Sequence, residues 1–358
     1  MSFFIFHLEG IKDVGQFQEE IGFNQIESRK WRSQLFWKGL EQFPSRLEQA
    51  KKLILQGRKV AVVFSLATFI VILFLAKLAD QYWFGLIAVF LLAHNLLVFY
   101  YGRVAMTDSF QLFFFFLNFV LIFYYLRSFC QKNKRHLLIL SLLIGLNTAL
   151  AAGVKVIGIL TLAFFLGVFF IVLFINNFKK SFFSKKLLIA SLLIIVASFL
   201  IVFVVLNPQI YSNPFKGFLK MFLARWQSAK HFQKTKGKSV SGRIEAIKLI
   251  FKKLFLAENN FGNFGFVPFI PLDLIVLLAG VFLLVRKILD IFKKKNVFSL
   301  ELLLLLWFFL TFTALIFYLK NDWPRYYLPL ESAVILVQSY FISWGLKRLL
   351  TWGKEKYR

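Results

Sequence analysis

Apolar runs long enough to cross a bilayer recur along the chain, separated by short polar stretches. Six lie near residues 59–79, 84–101, 109–126, 137–152, 156–176 and 187–206, and three more near 268–285, 298–319 and 328–346. A helix needs about 20 apolar residues to span the hydrocarbon core. The pattern predicts an all-α, polytopic membrane protein with about nine transmembrane helices. It divides the chain into five parts: a charged, amphipathic segment over 1–58, a first bundle of six spans over 59–206, a polar segment over 207–267, three spans over 268–346, and a basic tail over 347–358.

The polar segments have their own patterns. Trp31 to Leu55 has helical spacing broken at Pro44, which predicts a surface or interfacial helix ahead of the first span. Asn207-Pro208 and Asn213-Pro214 should turn the chain at the end of the sixth span. Phe215, Phe218, Leu219, Phe222, Leu223 and Trp226 then share one helical face, and Ile244, Ile247, Phe251, Leu254 and Phe255 another. Both stretches are expected to lie as amphipathic helices in the interface.

Composition agrees with a membrane protein: 59% of the 358 residues are hydrophobic, and the mean hydropathy is +0.70. The net charge of +27 raises the question of nucleic acid, but the basic residues sit in short loops between apolar runs. Arg127–His136 and 177–186 carry four Lys/Arg each and no acid. Segments 286–296 and 347–358 each carry five against one acid. Alternating spans put these four segments on one side, and the positive-inside rule makes that side cytoplasmic. The other side, external, then holds 102–108, Lys155, 207–267 and 320–327. The partner implied is a membrane rather than nucleic acid. One cysteine, Cys130, and four scattered histidines (His7, His94, His136, His231) give neither a disulfide framework nor a metal-ligand cluster. No cofactor is expected, and any need for a divalent metal is left open.

Charged residues at a membrane edge are costly and usually have a purpose. Arg103 and Asp108 stand between two apolar runs, and Lys155 and Arg325 fall on the same side. Asp108 precedes a helix, so N-capping is an alternative role for it. The three cations could also snorkel to phospholipid headgroups, and Tyr326 and Tyr327 could form an interface belt. His94-Asn95, in mid-span, reads as a hydrogen-bonding contact between helices.

Several stretches together resemble the polyprenyl-phosphate-sugar-dependent glycosyltransferases of the GT-C fold, in particular the protein O-mannosyltransferase and aminoarabinose-transferase-like group, glycosyltransferase family 39. They are Gly57-Arg58-Lys59-Val60, Tyr101-Gly102-Arg103-Val104-Ala105-Met106-Thr107-Asp108, Ala152-Gly153-Val154-Lys155, Asn207-Pro208 through Asn213-Pro214, and Trp323-Pro324-Arg325-Tyr326-Tyr327-Leu328-Pro329-Leu330. They occur in the family's order over roughly 57–346. The resemblance implies transfer of a sugar from a polyprenyl-phosphate donor to a lipid, glycan or protein acceptor on the external face. The low cysteine count and Lys/Phe/Ile-rich usage suggest a prokaryotic plasma membrane. The resemblance assigns Asp108 to catalysis, Arg103, Lys155 and Arg325 to the donor phosphate, and Tyr326, Tyr327 and Asn207 to the substrate pocket.

The family also carries a further helix and an acidic loop ahead of the first span. No apolar span precedes residue 59, and the surroundings of Glu19-Glu20 do not match that loop. The expectation is a truncated or mis-started product whose upstream DNA encodes the missing helix and the base, with Asp108 then orienting substrate. Two other readings stay open: an inactive homologue, and a transporter or flippase of lipid-linked saccharides, which would need polar residues through the span centres.

Overall fold

The structure is a computed structural model. It describes residues 44–103, 107–131, 133–179, 185–207, 211, 213, 216–217, 219–220, 223, 240, 242–256, 266–267, 270–293, 299–319 and 324–356. Phe215, Phe218, Phe222 and Trp226 of the first amphipathic face, and residues 1–43 with Glu19-Glu20, fall outside them; Leu219 and Leu223 of that face are described and exposed.

Helix α1 runs unbroken from Pro44 to Leu78. Pro44 is its first described residue, a position where the missing N–H of a proline costs nothing in a first turn. The described part of the expected interfacial helix is thus continuous with the first span. Asp80, at φ 53°, turns the chain after α1, an Asp in the left-handed region closing a helix end. Helix α2 (Tyr82–His94) and α3 (Leu96–Arg103) come next. Then come α4 (Asp108–Cys130), α5 (Lys134–Val154), a 3-10 turn Val156–Ile159, α6 (Leu160–Lys179) and α7 (Lys185–Val205). After the polar segment come α8 (Arg243–Phe251), α9 (Leu272–Lys293), α10 (Leu300–Tyr318), a 3-10 turn Pro324–Tyr326 and α11 (Leu328–Lys356). A small antiparallel ladder pairs Phe266 with Pro271 and Val267 with Ile270.

Among the described residues six helices are long and apolar enough to cross a membrane, and α2 with α3 makes a seventh candidate as one broken span. Helices α9 and α11 stand where two more spans are expected. Asp273, Arg286 and Lys287 make α9 more charged than the others, and Glu331 and Gln338 make α11 more polar. The break at Asn95 turns the helix axis by 74°, where the sequence suggests one straight span over 84–101.

Helix α11 is central: every residue from Tyr327 to Tyr340 is buried. It packs against α2, α9 and α10. A second row runs α1–α4–α5–α7. Trp307 of α10 joins the two, with Phe115, Phe119 and Phe164 at edge-on centroid distances of 5.1, 5.6 and 5.2 Å. Gly145 lets α5 meet α7 closely, since an added Cβ would lie 2.6 Å from the Ile195 carbonyl. Helix α8 lays Ala246 and Ile250 inward and meets α10 through Arg243 over Phe317 and Phe251 against Phe312. The expected amphipathic helix over 244–255 is therefore present, but it buries 246, 250, 254 and 255 against protein and leaves Ile244 exposed.

Candidate active site

Four loop ends converge at one end of the bundle. Asp108 is the first residue of α4, with Thr107 at the N-cap position. Lys155 comes after α5 in extended backbone, and its N–H caps Ala151 O. Lys155 Nζ donates to Asp108 Oδ1. The Asp108 side chain is 1% exposed and that of Lys155 24%, so the pair opens outward through the lysine. Asp108 Oδ2 has no hydrogen-bond partner among the described residues. The N-cap role weighed for Asp108 is corrected: its carboxylate reaches Lys155, and no side-chain cap bond forms at this helix start.

Tyr101, at the end of α3, lies within electrostatic reach of both Asp108 and Arg325, with its hydroxyl near the Arg325 backbone. The Arg325 guanidinium stands over the Tyr326 ring at 5.6 Å. Arg325 also acts on Lys155 through space. Burial pushes the Lys155 pKa below the usual lysine value; Asp108 opposes that shift and Arg325 adds to it. One carboxylate thus sits among Lys155, Tyr101 and Arg325, brought together from four separate elements. This is an arrangement that can hold an anion beside a carboxylate able to accept a proton.

The other expected site residues are placed differently. Arg103 ends α3, and its side chain lies outside the described residues. Asn207 is at the same end of the bundle, with Leu206 beside Gly153, but its amide donates to Phe203 O at 2.7 Å and caps its own helix. Tyr326 is half-buried, while Tyr327 is fully buried in the protein interior.

Sequence reasoning gave no role to Tyr101, although it heads the Tyr101–Asp108 stretch, and overlooked Glu331 and Asp273. Asn95 Nδ2 donates to Glu331 Oε1 at 2.8 Å. Asp273 lies within electrostatic reach of Glu331, and Gln338 Nε2 donates to Asp273 O at 3.0 Å. Asn95 does join helices, as its mid-span position suggests. This second set of buried polar groups bonds helix to helix. Among the described residues no group of three His, Cys, Asp or Glu side chains forms a metal site.

Residues 58–217 match the family model for dolichyl-phosphate-mannose-protein mannosyltransferase. That stretch, 160 of the 358 residues, is similar to the family. The matched stretch begins at Arg58, which heads the first apolar run, and includes Arg103, Asp108, Lys155 and Asn207; Arg325 lies beyond the match. No curated protein and no solved structure matches the chain. Its apolar helices make it an integral membrane protein, and the matched stretch is similar to a glycosyltransferase family.

Proposed function

We propose that the chain moves a sugar, mannose in the first instance, from a polyprenyl phosphate to a hydroxyl-bearing lipid, glycan or protein at the external edge of the membrane. The observation that carries this reading is the buried Asp108 held by Lys155, with Tyr101 and Arg325 around it. Lys155 engages one carboxylate oxygen and leaves Oδ2 as an acceptor. Asp108 takes the proton of the acceptor hydroxyl as that oxygen attacks the anomeric carbon. The bond from this carbon to the phosphate oxygen breaks, and its electron pair leaves with the polyprenyl phosphate. That leaving group is already an anion, so it calls for cations: Arg325 as a two-pronged donor, with Lys155 and Arg103 as the other positive groups. The lipid tail lies along the exposed apolar helix faces.

The test is a reconstitution. Purified protein in liposomes, given polyprenyl-phosphate mannose and a mixed pool of hydroxyl acceptors, should release polyprenyl phosphate and form a mannosylated product. Asp108→Asn should bind the donor and transfer little. If the unaltered chain releases no polyprenyl phosphate with any acceptor, the inactive-homologue reading replaces this one. Movement of intact donor across the bilayer without cleavage would establish the transporter.

A further inference from the structure

Asn95 makes three contacts at once. Its Oδ1 accepts from Leu97 N and Val98 N, both at 3.1 Å, which caps the start of α3. Its Nδ2 donates to Glu331 Oε1 at 2.8 Å. Both side chains are 1% exposed, so the bond is made away from water. One residue thereby ends α2, starts α3 at 74° to it, and ties the corner to α11.

The other end of α3 is tied as well. Ser65 Oγ reaches Gly102 O at 3.1 Å, sharing its one proton with Ala61 O at 3.0 Å, and the Tyr101 hydroxyl lies near the Arg325 backbone. Glu331 and Arg325 belong to one stiff piece of chain, because Tyr327 N bonds Pro324 O at 3.0 Å and Glu331 N bonds Tyr327 O at 2.8 Å. The eight-residue α3 is therefore an arm held at both ends to the segment that carries Arg325, and it ends in Tyr101-Gly102-Arg103.

We propose that Asn95 and Glu331 are positioning residues: their bond fixes the base of this arm and so sets Tyr101 against Arg325 and the Asp108–Lys155 pair. The arm's geometry stands on the contacts alone. Its consequence for donor binding rests on the proposed function.

The two parts are tested separately. A Cβ on Gly102 would lie 3.6 Å from the Ser65 Cβ, a separation that a disulfide spans. In a Cys130→Ser background, Ser65→Cys with Gly102→Cys should cross-link rapidly under a membrane-permeant oxidant. Asn95→Asp keeps the capping oxygen but sets a carboxylate against Glu331, and Glu331→Leu removes the acceptor. Each should slow cross-linking about tenfold, as expected when one buried hydrogen bond to a carboxylate is lost. Glu331→Gln keeps an acceptor oxygen and should cross-link as fast as the parent. Equal rates in all four proteins, or Glu331→Gln slowed as much as Glu331→Leu, would overturn the proposal. Without the added cysteines, titration with a polyprenyl phosphate should give the same order, weaker for Asn95→Asp and Glu331→Leu and unchanged for Glu331→Gln. If the cross-linking order holds while the parent itself binds no polyprenyl phosphate, the donor reading fails and the arm stands.

Discussion

Lys155, in the extended residue after α5, donates its ammonium to the buried Asp108 carboxylate at the start of α4. The contact joins residues 47 apart in sequence. A buried charge with its partner removed is far costlier than the intact pair is beneficial. The two substitutions at Asp108 should therefore separate folding from chemistry. Asp108→Asn retains an oxygen for Lys155 and should keep the melting temperature within a few degrees, yet lower turnover by about a hundredfold or more, the usual scale for a lost general base. Asp108→Ala should lose turnover and also melt earlier. Turnover in Asp108→Asn equal to that of the parent would leave Asp108 a structural partner of Lys155.

How much of the site is legible in the sequence depends on distance along the chain. Asp108, Lys155 and Arg325 stand out because each is a charge at the edge of an apolar run. That they meet is not readable, since the meeting depends on how α4, α5 and the Pro324–Tyr326 turn pack. Glu331 is hidden for the same reason: it reads as an acid in the first turn of an apolar helix, and its partner Asn95 is 236 residues away. The bend at Asn95 is hidden because hydropathy sees only an unbroken apolar run. An asparagine side chain that caps the next turn competes with the straight helix, and periodicity does not register that competition. At Pro44 the reverse holds: the proline signal is visible, but whether it breaks a helix or opens one is set by how the chain packs on either side of it.

The Arg325 guanidinium stands over the Tyr326 ring in a short turn, with Tyr101 near its backbone. Its side chain is thus held in place before any anion arrives. Arg325→Ala should raise the KM for the lipid-phosphate donor about tenfold or more, the scale of a lost charge-assisted hydrogen-bond pair, with a smaller effect on kcat. Arg325→Lys should restore little, because an ammonium cannot supply two parallel donors. Steady-state kinetics at varied donor would decide, and donor KM values unchanged in both variants would take Arg325 out of the site.

Lys155 gives the site an alkaline limit. Burial first, then Arg325, lower its pKa, and Asp108 only partly offsets them. Lys155 therefore loses its proton at a lower pH than an exposed lysine, and its share of donor binding falls as pH rises through that value. The stability term has the opposite sign. Between the lowered value and the ordinary one the unfolded chain binds more protons, so folding stability rises with pH there. Lys155→Arg keeps its charge throughout, and its kcat/KM profile should hold to higher pH than the parent's. Alkaline limbs that coincide in the two proteins would show that another group sets the limit.

The external placement of the site is inferred from loop charge, and it can be checked without any assay of transfer. Segments 127–136 and 177–186 are basic and free of acids, which places them in the cytoplasm. The Asn207 end of α7 is then outside, on the same side as Asp108 and Lys155. His136 and Lys186 are exposed at the expected cytoplasmic ends of α5 and α7, and Asn213 is exposed beyond the other end of α7. In a Cys130→Ser background, a cysteine at Asn213 should react with a membrane-impermeant maleimide in intact cells. Cysteines at His136 and Lys186 should react only after the membrane is opened. The reverse pattern would put Asp108, Lys155 and Arg325 in the cytoplasm, where a soluble nucleotide-sugar donor would have to be considered in place of the lipid-linked one. Labelling at all three positions in intact cells would mean that the spans do not alternate as the charges imply.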